Sequence, residues 1–162
     1  MRRSKGLRYL LLPLVTLSGL WYGADVLLAK INGTVVQEIV PGGLVLQKDR
    51  QGHFRGTGTI NDTPVTFLID TGATITTIPA KIAVAARLKS GTEVKTHTAG
   101  GIVMGSMVII DSLKIGGVEI TNLNANINDH IDEVLIGMNT LKFFDMTQSG
   151  DTLTLIRNKS RK

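Results

Sequence analysis

Apolar positions follow two different patterns along the chain, one continuous and one interrupted. Residues 9–24 carry no charge, and the apolar stretch reaches residue 29 if the single Asp25 is allowed. From residue 44 onward, apolar residues come instead in short runs, at 44–48, 54–60, 65–69, 74–78, 102–111, 118–121, 123–127 and 152–156. Such runs bounded by turn residues read as strands, and Asn61-Asp62, Gly116-Gly117 and Ser149-Gly150-Asp151 are credible hairpin turns between them. Two helical stretches interrupt the series. Residues 79–88 start on a proline and continue Ala-rich, and residues 138–144 follow Gly137. Residues 31–43 are mixed and end in Pro41-Gly42-Gly43, which reads as a linker into the folded part. Mostly β, as one small closed or sandwich-like domain, is the fold class this pattern predicts.

The continuous stretch has the dimensions of a membrane span. Residues 9–29 at a rise of 1.5 Å cover about 31 Å, close to the hydrocarbon thickness of a bilayer. A signal peptide cut after Ala29 is the rival reading, but Leu27 is a poor match to the small residue expected three positions before a cut. An uncleaved single-pass anchor is therefore expected, with Trp21 and Tyr22 at the interface; a buried helix of the domain is the remaining alternative. Arg2, Arg3, Lys5 and Arg8 before the stretch, against Lys30 after it, put the N-terminus in the cytoplasm and the body in the periplasm or exterior. The expected organisation is a cytoplasmic N-terminus and transmembrane anchor over 1–29, a linker over 30–43, the folded domain over 44–156 and a basic tail over 157–162.

Charge changes the picture only once its placement is considered. The 162 residues hold 18 Lys and Arg against 13 Asp and Glu, a net +5. Eight of the basic residues sit at the two ends, so the body carries ten basic against thirteen acidic residues. That body also has no Trp or Tyr beyond Tyr22 and only four Phe, so a nucleic-acid surface of basic residues and stacking aromatics is excluded. With no Cys and three scattered His, neither a metal nor a cofactor is expected.

The candidate chemistry lies at Asp70-Thr71-Gly72-Ala73, an acid and a glycine directly after the apolar run Phe67-Leu68-Ile69. Further on come Thr98-Ala99-Gly100-Gly101-Ile102, then Leu135-Ile136-Gly137-Met138-Asn139, then Thr152-Leu153-Thr154-Leu155-Ile156. These four landmarks in this order resemble the retropepsin-like aspartic proteases, half-size homodimeric relatives of pepsin, across nearly the whole body. The basic start and apolar segment are also similar to the membrane-anchored bacterial type.

The resemblance implies a small closed β-barrel half, one lobe per chain, and an aspartic endopeptidase acting on peptide or protein substrates. Such chemistry needs two neighbouring carboxylates, one protonated while the other activates water. The chain has a single Asp-Thr-Gly, so a homodimer must supply the second Asp. By resemblance Asp70 is catalytic, Thr71 ties the two active-site loops together, and Gly72, with Ala73 completing the loop, admits the substrate backbone. Ala99, Gly100 and Gly101 form the tip of a flap. Ile136 and Gly137 form a structural second glycine segment, and residues 152–156 pair with their symmetry mate in an interchain sheet. The viral members carry an acid and an Arg where this chain has Thr74 and Met138, so that ion pair is replaced as a unit.

Plainer roles compete at each position. Asp70-Thr71-Gly72 can be a strand-end turn and Gly100-Gly101 a simple hairpin turn. Asp132-Glu133 reads as a solvated loop pair, His53, His97 and His130 as surface residues, and Met104 and Met107 as flap or core packing. Two other functions remain open: an inactive peptide-binding or assembly module of the same fold, and a phosphate-binding loop at Asp70-x-Gly72-x-Thr74. The latter belongs to two-lobed folds about twice this length.

Overall fold

The computed structural model describes residues 35–89, 91–98 and 101–160. The expected anchor and the flap residues Ala99 and Gly100 lie outside them; among the described residues, no helix is long and apolar enough to cross a membrane. Eleven strands and two short helices are described: β1 (Gln37–Val40), β2 (Gly43–Gln47), β3 (Arg55–Ile60), β4 (Thr63–Ile69), β5 (Thr76–Pro79), α1 (Ala80–Ala85), β6 (Glu93–Thr98), β7 (Gly101–Ile115), β8 (Val118–Asn128), β9 (Val134–Ile136), α2 (Met138–Leu141), β10 (Phe144–Ser149) and β11 (Thr152–Arg157).

Six strands close into a barrel in the order β3-β4-β9-β5-β8-β7, with β3 returning to pair with β7, and β6 extends the sheet outside the ring. Two of its hairpins are local in origin. Asn61-Asp62 joins β3 to β4 and Gly116-Gly117 joins β7 to β8, all four residues having positive φ, as two-residue hairpin turns require. Both turns fall where the sequence predicts them. Strand β4 shows the half-buried alternation in its sequence, with Val65 and Phe67 turned inward. Phe67 meets Ile60, Ile78, Ile110, Leu113, Ile136 and Leu155 in one fully buried core, each such side chain contributing about 1.5–3 kcal/mol.

A second sheet, ordered β1-β2-β11-β10, packs Leu44, Leu46, Leu153 and Leu155 onto that core. Here the structure corrects two expectations. Residues 37–40 fall in the stretch read as a linker, yet they form a strand paired with β2 from Gln37↔Leu46 to Val40↔Gly43. Pro41-Gly42 makes this turn, with Gly42 at φ 75°, so the Pro-Gly signal marks a hairpin rather than a flexible join. Residues 152–156 were expected to pair with a symmetry mate. In the structure, β11 is an interior strand, bonded to β2 on one side and β10 on the other, so neither edge is open to another chain.

Candidate active site

Asp70 is the first residue after β4. Two neighbours fix the backbone there. Strand β4 runs parallel to β9, pairing Ile69 with Ile136, and the ladder continues one step as the Asp70 N–H donates to the Ile136 carbonyl at 3.1 Å. Just beyond, the Ala73 N–H donates to the Asp70 carbonyl (3.2 Å), turning the chain sharply. The Gly72 N–H then points back and donates to Asp70 Oδ1 at 2.9 Å. The carboxylate is thus oriented by its own loop, half-buried, while Thr71 and Gly72 are exposed.

The second glycine segment locks this loop from behind. Met138 N–H donates to the Ala73 carbonyl (2.8 Å) and Asn139 N–H to the Thr74 carbonyl (3.1 Å). These are the two positions, Thr74 and Met138, that lack the acid and Arg of the viral pattern, and main-chain bonds hold the segments together there. Gly137 makes the approach possible: a Cβ on it would stand 2.6 Å from the Ile75 carbonyl carbon and 2.9 Å from the Ala73 oxygen. Only glycine fits between those backbones.

Three polar residues complete the lock, and sequence reasoning missed them. Thr76 Oγ1 and Thr140 Oγ1 are 2.6 Å apart in full burial. The Gly137 N–H donates to Thr76 Oγ1 at 3.2 Å. Asn139 Oδ1 accepts from the Thr76 N–H (2.8 Å) and hydroxyl (3.1 Å), while its Nδ2 donates to the Asn124 carbonyl (2.6 Å). Buried polar groups are retained where partners are complete. The signal available was a pair of threonines at the head of a short strand, Thr76-Thr77 before Ile78, and an Asn two residues after a glycine.

Arg55, Asp49 and Glu133 form a further cluster beside the same end of β4, where Arg55 pairs with Leu68. Arg55 Nε and Nη2 both donate to Glu133 at 2.9 Å, and Nη1 donates to Asp49. The hydrogen bonds it donates to Glu133 hold the guanidinium above its ordinary pKa. This corrects the reading of Asp132-Glu133 as one solvated pair: Asp132 is fully exposed, whereas Glu133 ties the approach to β9 onto β3. A pairing across 78 residues leaves no local mark.

At the predicted flap, β6 and β7 form an antiparallel hairpin whose last pair is Thr98↔Gly101. Ala99 and Gly100, the two residues between, lie outside the described residues. Gly101 has φ 117°, with nothing within 4 Å of a Cβ placed there, so it is glycine for its conformation rather than for space. Met104 on the same hairpin is exposed. Three surface clefts, beside β1 and β3, beside Arg87 and Asp111, and beside α1, have neither Asp70 nor Gly72 in their linings. The geometry therefore brings together Asp70, Thr71, Gly72, Ala73, Ile136 and Gly137, with Asp70 half-buried.

A closed barrel that presents one turn-bound aspartate from an Asp-Thr-Gly loop has the architecture of one aspartic-protease lobe. Residues 56–143 match the family model of gag-polyprotein putative aspartyl proteases, and the chain belongs to that family. An uncharacterized protein in the cobV 5′ region of Sinorhizobium sp. is 29% identical over 110 residues, 65% of this chain and 47% of that protein. The chain thus spans about half the length of that relative. Among solved structures, the retropepsin-like aspartic protease from Rickettsia conorii matches with a TM-score of 0.58 and 23% identity, over 75% of this chain and 90% of that one. The EIAV protease complexed with the inhibitor HBY-793 follows at 0.47 and 23%, over 54% and 84%. The likeness in fold covers the closed barrel expected from the sequence.

Proposed function

We propose that this protein is an aspartic endopeptidase whose active site forms between two copies, each contributing Asp70. The observation that carries the reading is the Asp70 carboxylate itself, held by the Gly72 N–H at 2.9 Å on a loop locked by Gly137, in a chain with one such loop. Two carboxylates brought together share a proton, because both cannot ionise easily at short range. The ionised one takes a proton from water as that water attacks the peptide carbonyl, and the protonated one gives its proton to the carbonyl oxygen. The tetrahedral intermediate then collapses, the nitrogen receives a proton, and the C–N bond breaks. Gly72, without a side chain, leaves room for the substrate backbone, and the exposed Thr71 hydroxyl meets the opposite loop. The tip at Ala99, Gly100 and Gly101 closes over the substrate and offers main-chain N–H groups.

The test is Asp70→Asn. An amide cannot take part in the shared-proton pair, so hydrolysis of a peptide library should fall to background while the fold persists. Undiminished hydrolysis by that variant would end the reading, and a wild-type chain that binds peptides without cutting them would favour the inactive module.

The same proposal places residues 1–29 in a membrane as an uncleaved anchor, with the barrel in the periplasm or exterior. Trp21, Tyr9 and Tyr22 are the Trp and Tyr residues of the chain, all before residue 29. The anchored protein should stay in the membrane fraction through a salt wash and keep its absorbance at 280 nm. A soluble product silent at that wavelength would show instead that the segment is cleaved.

A further inference from the structure

Between the end of α1 and the middle of β7 lies a cleft of about 630 Å³ that the Asp70 chemistry does not use. We propose that this cleft docks an acidic segment of a partner protein in extended form. The segment's main chain pairs with Ile109, and its carboxylates meet Arg87 and Lys89.

One edge of β7 is interrupted midway. Before the gap, the Gly91 N–H donates to the Met107 carbonyl (3.0 Å) and the Met107 N–H to the Thr92 carbonyl (2.9 Å). After it, the Asn61 N–H donates to the Ser112 carbonyl (2.8 Å) and the Ser112 N–H to Asn61 Oδ1 (3.0 Å). Alternation along an antiparallel strand turns the main-chain groups of Ile109 to the same side as those of Met107. No described strand stands there, because β6 pairs only up to Ser106 and β3 only from Leu113. Asn124, opposite Ile109 on β8, fits this alternation: its carbonyl accepts from Asn139 Nδ2 at 2.6 Å, on the far side of β8. An unpaired stretch of edge is a template for an added strand. The Ile109 side chain at its centre is 58% exposed.

Two cations border the gap. At the end of α1 the Arg87 N–H donates to the Val84 carbonyl (3.1 Å) and the Leu88 N–H to the Ala83 carbonyl (2.9 Å), the two bonds of a Schellman turn. The left-handed residue of such a turn is usually glycine. Here it is Arg87, at φ 54°. A cation kept against the preference of its backbone marks a place where the side chain matters. Lys48, Arg55, Lys81 and Lys114 each face a carboxylate, whereas Arg87 and Lys89 have no ion-pair partner among the described residues. Asp111 is the one acid in the lining, and its Oδ2 accepts from Asn61 Nδ2 at 3.5 Å.

These features together select the occupant. The cations call for carboxylates, Met107 and Ile109 for apolar side chains, and the open main chain at Ile109 for N–H and C=O groups in register. An acidic extended peptide supplies all three. A lipid surface supplies the first two and lacks the third.

Full-length Asp70→Asn protein in detergent, kept from cutting what it binds, is panned against a random nonapeptide library on phage. Recovered peptides should carry Asp or Glu beside Val, Ile or Leu. A synthetic copy should bind roughly tenfold or more weakly once Arg87→Glu and Lys89→Glu are added, and N-methylation at its centre should weaken it more than at its ends. Arg87→Gly separates recognition from folding. Glycine suits the left-handed turn, so the melting temperature should hold or rise while binding falls severalfold. A lower melting temperature with binding unchanged would make Arg87 a structural residue and overturn the inference. Recovery of no acidic peptide, or binding untouched by Arg87→Glu and Lys89→Glu, would overturn it as well. Capture of phosphatidylserine vesicles in place of any peptide would assign the cleft to a lipid surface instead. None of these readouts measures hydrolysis, so they stand apart from the peptidase reading.

Discussion

The two glycine segments that flank the site are glycine for opposite reasons. Gly137 is buried with ordinary extended dihedrals (φ −87°), and a Cβ there meets backbone atoms on two sides. Gly101 is exposed with φ 117° and open space around it. One is a packing constraint belonging to stability, the other a conformational constraint at the end of a hairpin. The contrast separates the rigid half of the site, which holds Asp70, from the half that is proposed to move over substrate.

Substitutions can break this contrast from either side. The largest effect is expected at Gly137→Ala. No rigid backbone neighbour can yield by the needed distance, so the Met138–Ala73 bond and the Thr76 network go with it; a loss of more than about 3 kcal/mol belongs with the severe core substitutions. Thermal unfolding should show a melting point lower by roughly 10 °C or more, with hydrolysis lost in proportion to folded protein. A melting point within a degree or two of wild type would mean that the segment is not packed as described.

At Gly101→Ala the left-handed backbone costs about 1–2 kcal/mol, part of which the exposed tip can shed by rearranging. The melting point should fall by only a few degrees, while kcat/KM falls severalfold or more. Equal proportional losses of folded protein and activity would make Gly101 a plain turn residue and remove the flap from the mechanism.

How much of this was legible depended on how local each feature is. Strands β2 to β5, β7 and β11 and helix α1 stand where alternation and turn residues put them, because these signals lie within a few residues of one another; α2 keeps only 138–141 of the expected 138–144, and Phe144 already opens β10. Strand β8 reads as two runs broken at Asn122, and the structure keeps one strand with Asn122 at φ 53°. β6 and β10 escape because Glu93-Val94-Lys95-Thr96-His97-Thr98 and Phe144-Asp145-Met146-Thr147-Gln148-Ser149 are too polar to show an apolar face. Each is the terminal strand of its sheet. β9 is three residues long and recognisable only by the Gly137 that follows it.

Asp70, Gly72 and Gly137 stand out as a tripeptide and a glycine after apolar runs. Thr76, Thr140 and Asn139 do not. The bonds of Thr76 to Asn139 and Thr140 join residues more than 60 apart in sequence, and only closure of the barrel brings them together. Electrostatic pairing is equally silent: Arg55 finds Glu133 over the intervening strand β4, not along its own strand.

The central claim is that one active site takes an Asp70 from each of two chains, and mixed dimers test it most directly. Full-length wild-type and Asp70→Asn chains are mixed at fixed high total concentration, allowed to exchange, and assayed for peptide hydrolysis against the wild-type fraction. A shared site predicts a rate that follows the square of that fraction, so an equal mixture retains about a quarter of the wild-type rate, because dimers with two intact aspartates alone turn over. A rate that falls in a straight line, with half remaining in the equal mixture, would mean that each chain works by itself and would contradict the account.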